Sequence, residues 1–216
     1  TLPDLTDQLP ERLDFLWRGE AFDTFDGKSW AVKSPEVFRR NLPTGPRPGS
    51  GRTQRAIVEV LPLVNSPSVF FPGIPVAART VGLVEPGQPR MLTVRNDLVT
   101  TVRPVPNGPF RVEVWASQTS NDPELPDAQR ERYTQLPTTL DPRIRQYAQQ
   151  LTREAKDDRA RVQSIYKELK ERFTYSLELP GDTTDPLAQF LFERRKGHCE
   201  FFSTAMAVLL RSVGIP

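Results

Sequence analysis

Prolines crowd the front of this 216-residue chain and thin out toward its back. Most of the 22 lie before residue 143. A proline fixes φ and offers no N–H, so long helices are excluded there and strand edges, turns and loops are favoured. Residues 56–61 and 110–116 alternate apolar and polar side chains, the period of half-buried strands. Residues 13–17 and 20–25 carry strand-like segments, and Asp26-Gly27 is a tight-turn dipeptide ahead of residues 28–32. Residues 41–55, rich in proline, glycine and arginine, read as an exposed loop. Residues 1–117 are therefore expected to form a β-rich domain, an antiparallel sandwich or open barrel of about six to eight strands.

Residues 118–140 form a polar linker, and the period then changes. Asp141-Pro142 is a cap followed by a first-turn proline, with Ile144, Tyr147, Ala148 and Leu151 recurring on one helical face. Asp157 or Asp158 caps a second helix, whose inner stripe is Val162, Ile165, Tyr166, Leu169 and Phe173. Residues 173–177 suggest a short strand. Asp185-Pro186 starts a further helix through Phe190 and Leu191, and Gly197 is expected to end it and permit a sharp turn. No internal repeat interrupts this order. The fold class is α+β, with a helix-rich segment over residues 141–216.

Charge and composition narrow the function. A formal net charge of +2 is too small to argue for a nucleic-acid partner. No apolar run reaches the roughly 18–20 residues that cross a bilayer, and Thr1-Leu2-Pro3-Asp4 lacks the regions of a signal peptide. The chain starts without methionine and closes on Gly-Ile-Pro, which reads as a piece of a longer protein. One cysteine excludes an intrachain disulfide and a multi-cysteine zinc site. The soft ligands His198 and Cys199 are adjacent, so neither a metal nor another cofactor is expected.

That cysteine stands at the expected first turn of the most apolar helix of the chain, just ahead of the apolar run over residues 201–216. The first turn of a helix has unpaired N–H groups and a partial positive charge, which favour a thiolate and can stabilise an oxyanion. A cysteine in an apolar helix is ordinarily a small core residue. Here it precedes the apolar run, Gly197 allows close backbone approach, and Ala205 and Ala207 keep the helix slim. Arg194, Arg195 and Lys196 would add to the field on the thiol, although a solvated basic helix end explains them equally. His198 is a poor base, because adjacent helical residues point about 100° apart.

Residues 185–216 resemble the transglutaminase-like core. The resemblance rests on Gly197-His198-Cys199, the small residues that follow, Leu209-Leu210-Arg211 and Gly214-Ile215-Pro216. Residues 17–30 are similar to the extracytoplasmic β domain of TgpA-like bacterial membrane proteins, and residues 136–144 to their connection into the core. This resemblance implies a papain-like arrangement with Cys199 as catalytic nucleophile, the family's histidine and aspartate following after residue 216. It implies thiol-dependent acyl transfer of the protein-glutamine gamma-glutamyltransferase kind, between a protein or peptide acyl donor and an amine acceptor. The location it implies is the periplasmic region of an inner-membrane protein. Holding one triad member, the 216-residue piece is expected to be inactive alone. Two alternatives stand beside this reading: a cysteine amidase or peptidase, and a non-catalytic envelope-binding scaffold using Trp17, Trp30 and Trp115. Tyr175 lines the site or, more simply, packs in the core.

Overall fold

A computed structural model describes residues 17–32, 39–46, 53–60, 68–81, 91–95, 99–103, 108–117, 127–178 and 183–216. The chain divides into two units, Thr1–Ala21 with Ser34–Asp122, and Phe22–Lys33 with Pro123–Pro216. In chain order the first strands are β1 (Trp17–Arg18), β2 (Thr24–Phe25), β3 (Trp30–Ala31), β4 (Arg39–Asn41) and β5 (Gln54–Val60). They are followed by β6 (Ser68–Val69), β7 (Phe71–Pro72), β8 (Ile74–Val81), β9 (Met91–Arg95), β10 (Thr100–Arg103) and β11 (Phe110–Ser117). The later elements are α1 (Asp127–Tyr133), α2 (Pro142–Leu151), α3 (Asp158–Arg172), β12 (Thr174–Tyr175), α4 (Pro186–Ala188), β13 (Lys196–Gly197) and α5 (Cys199–Ser212).

The first unit is antiparallel throughout its described strands. β11 lies between β5 and β8, and a second sheet runs β4-β9-β10-β6. Strand periodicity sends Phe110, Val112, Val114 and Ala116 to one face, where they meet Val58, Ala78, Leu92, Val94 and Val102 in one apolar core. Side chains of both sheets share that core, as the alternation predicts for a sandwich. The opposite face of β11 carries a charge. Glu113 is fully buried between Arg55 and Arg79, and both guanidinium groups stand about the Trp115 ring, at 6.0 and 5.7 Å. Two bonded cations compensate the desolvated carboxylate. Of residues 41–55, read as an exposed loop, Leu42 is buried and Gln54 and Arg55 belong to β5; residues 47–52 lie outside the described residues.

In the second unit the caps act as the sequence predicts. Asp141 accepts from the Arg143 N–H at 2.8 Å, Asp157 from the Ala160 N–H at 2.7 Å, and Asp185 from the Ala188 N–H at 2.8 Å. α2, α3 and α4 pack around α5. Their shared core contains Ile144, Ala148, Ile165, Leu169, Leu191, Val208 and Leu209. Burying each such side chain contributes about 1.5–3 kcal/mol, enough to hold helices of modest intrinsic propensity. Tyr166 departs from its expected place on the inner stripe and is 58% exposed. One residue further round α3 than Ile165, it falls outside the arc that α5 covers.

The hairpin β2–β3 also belongs to this unit. Asp26 accepts from the Lys28 and Ser29 N–H groups and Gly27 takes φ +107°, which closes the turn. Phe25 enters the helical core, and its ring lies 4.9 Å from Trp30. The sequence-level division placed residues 22–33 in the β half and residues 118–140 in a linker, whereas here the hairpin and α1 both lie in the helical unit. Nothing local marks the hairpin for that role. Its partners are over a hundred residues away. Among the described residues no helix is long and apolar enough to cross a membrane.

Candidate active site

The approach to Cys199 is built by three short devices. After α4 the chain continues as a π-helical turn, Gln189–Arg194, and Arg195 takes a left-handed conformation at φ +50° while its N–H bonds the Phe190 carbonyl at 3.0 Å. Helix termination thus falls to Arg195, not to Gly197 as expected. Gly197 lies in β13, paired in parallel with Tyr175 of β12. Its reason for being glycine is space: a Cβ there would come within 3.0 Å of the Phe201 ring and 3.2 Å of the Phe190 ring.

His198 is the N-cap of α5, and its carbonyl accepts from the Phe201 and Phe202 N–H groups at 3.0 and 3.4 Å. Cys199 is the first helical residue, and its thiol is exposed. Helix geometry leaves the N–H groups of Cys199 and Glu200 without an intrahelical acceptor. The thiol lines a groove of about 570 Å³ with Tyr166, Lys170, Tyr175, Phe202, Ser203 and Met206. Tyr175 is 60% exposed and lines this groove, so its core reading is corrected.

His198 faces elsewhere. It lines a separate groove of about 340 Å³ with Lys28, Pro186 and Glu200, its ring edge-on to Phe201 at 5.0 Å. Histidine and thiol therefore line different sides of the helix start, as the angle between adjacent helical residues requires. Two of the three basic residues ahead of the cysteine are engaged with a carboxylate. Lys196 and Arg194 both approach Glu178, and the Lys196 hydrogen bond holds that carboxyl below its usual range. Trp30 is occupied in packing: it donates to Thr204, and the Arg211 guanidinium stands 4.7 Å over its ring. Among the described residues no cluster of histidine, cysteine or carboxylate side chains could hold a metal. That Tyr166, Lys170, Ser203 and Met206 line one groove with Cys199 was not legible in the sequence. The only signal was the helical spacing that puts Tyr166 and Lys170 on one face of α3.

Residues 145–216, which bear this cysteine, the groove and α5, match the transglutaminase-like superfamily. That match covers a third of this chain. The protein-glutamine gamma-glutamyltransferase of Pseudomonas aeruginosa is 27% identical over 210 residues, covering 96% of this chain and 29% of that protein. The uncharacterized protein YebA of Bacillus subtilis is 42% identical over 90 residues, covering 40% of this chain and 12% of that protein. The chain thus spans less than a third of either curated relative. A crystal structure of the periplasmic domain of TgpA from Pseudomonas aeruginosa superposes with a TM-score of 0.74 at 25% identity, covering 96% of this chain and 69% of that one. A second crystal structure of the same domain matches with the same TM-score. The mixed helix and antiparallel-sheet architecture and the transglutaminase-like domain agree with the resemblance read from the sequence.

Proposed function

We propose that this segment supplies the thiol of a periplasmic acyltransferase, with Cys199 as nucleophile. The observation that carries the reading is an exposed cysteine at the first residue of α5, in a groove of a transglutaminase-like domain. The N–H groups of the first turn would face the oxygen of a tetrahedral intermediate, a role worth roughly 3–4 kcal/mol per donor.

In the first step the Cys199 sulfur attacks a glutamine carboxamide carbon. The C–N bond breaks, and the proton lost by the thiol goes to the leaving nitrogen, so ammonia departs and a thioester remains. A primary amine then attacks the thioester, and its proton returns to the sulfur as the isopeptide bond forms. The histidine that relays these protons, and the aspartate that orients it, are those the family places after this segment. A periplasmic location is supported by the likeness to the TgpA periplasmic domain.

Fluorescent primary-amine incorporation into a glutamine-rich acceptor tests the reading in the full-length protein. Cys199→Ala is expected to reduce incorporation to background; unchanged incorporation would rule Cys199 out. Cysteine-dependent ammonia release without amine incorporation would make the protein an amidase instead.

A further inference from the structure

Among the described residues, the strand beside Cys199 is paired along one edge only. The Thr174 N–H donates to the Arg195 carbonyl and the Ser176 N–H to the Gly197 carbonyl, each at 2.9 Å. Alternation along a strand then turns the N–H and C=O of Tyr175 to the opposite edge. Among the described residues β12 has one strand neighbour, β13. Such an edge is a template for an extended main chain.

The side chains around that edge define what the main chain should carry. Tyr166 and Tyr175 line the groove, and Leu177, 76% exposed, follows Tyr175 by the strand period. Exposed apolar surface gathered beside a reactive group marks a contact surface. Among the described residues, Lys170 is the one charged side chain lining this groove. Its ammonium stands 5.8 Å from the Tyr166 ring, and no ion pair forms at it among the described residues. Glu200, next to the thiol in sequence, lines the grooves on the other sides of α5 and not this one.

We propose that the groove takes the acyl donor as an extended segment added along the free edge of β12. Main-chain hydrogen bonds run to Tyr175, apolar side chains rest on the two tyrosines, and an acidic residue near the glutamine is set against Lys170. The proposal rests on the acyl-transfer reading of Cys199, and adds the specificity that reading lacks.

The test uses the full-length protein and a library of fluorescein-tagged heptapeptides with a central glutamine flanked by glutamate, alanine or lysine. Binding is measured to the Cys199→Ala variant, and amine incorporation with the unaltered protein. Glutamate peptides are expected to bind about five-fold tighter than lysine peptides, an effect that weakens with salt. Lys170→Glu, at an exposed position, should invert that order. N-methylation of one amide in the tightest-binding peptide should weaken binding about five-fold, while methylation one position along is tolerated.

Equal binding of glutamate and lysine peptides, indifference to methylation at every position, or no binding by any library member overturns the proposal. If the binding pattern appears without any amine incorporation, the acyl-transfer reading fails and the strand-addition site stands. If incorporation is robust and the pattern is missing, this inference alone fails.

Discussion

The indole Nε1 of Trp30 donates to the Thr204 hydroxyl at 3.1 Å, joining residues 174 apart in sequence. One partner sits on a short hairpin near the start of the chain, the other on the second turn of the helix that Cys199 opens. Arg211, on the same helix, stacks on Trp30 and donates to the Asp23 and Gln135 carbonyls at 2.8 and 3.1 Å. A hairpin far away in sequence thereby fixes the helix that carries the thiol.

Trp30→Ala should therefore destabilise the helical unit by about 3 kcal/mol, the low end of the range for truncating a packed aromatic, because Trp30 is half-buried. Thr204→Val removes only the acceptor and should cost about 1 kcal/mol. In a double-mutant cycle by urea denaturation the two losses should fall short of additivity by about 1 kcal/mol. Strict additivity would mean the hydrogen bond contributes nothing.

Gly197→Ala should destabilise by about 1–3 kcal/mol, because the added Cβ meets two aromatic rings already stacked on each other. The displacement falls on Phe201, two residues from the thiol, so amine incorporation should drop by more than the unfolded fraction explains. Thermal unfolding and incorporation rates measured on one preparation separate the two effects. Wild-type values in both would refute the close-packing account.

Tyr147 donates to Glu168 at 2.6 Å, and burial first, then that hydrogen bond, pushes its phenol well above the ordinary range. A raised folded pKa contributes stability that is complete below the unfolded value, about 10, and is lost as pH climbs through the folded one. Unfolding free energy should accordingly decline from about pH 10 upward. Tyr147→Phe should cost about 1–2 kcal/mol at neutral pH and flatten that decline. Equal alkaline slopes in the two proteins would sink the assignment.

In the first unit, Glu113→Gln should destabilise by about 2–3 kcal/mol. The buried carboxylate is then replaced by an amide that cannot balance Arg55 and Arg79. Urea is the denaturant to use, since guanidinium chloride would screen the ion pairs under test. Trp115 emission should change as well, because both guanidinium groups stand about its ring, and an unaltered denaturation midpoint would show that the pairs merely break even.

The parts of this protein legible in its sequence are those whose causes lie within a few residues. Asp141, Asp157 and Asp185 start helices because a short carboxylate reaches an unpaired N–H two or three residues on. Phe110, Val112, Val114 and Ala116 declare a strand because side chains alternate across it. Cys199 was placed at the head of α5 by the same local logic. Long-range packing decided the rest. The Phe22–Lys33 hairpin joins the helical unit because Phe25 and Trp30 find their apolar partners there, and Tyr166 and Tyr175 face the Cys199 groove because neighbouring elements leave them uncovered. Caps and periods are written into adjacent residues, whereas which surface an element buries depends on partners that only the folded chain brings together.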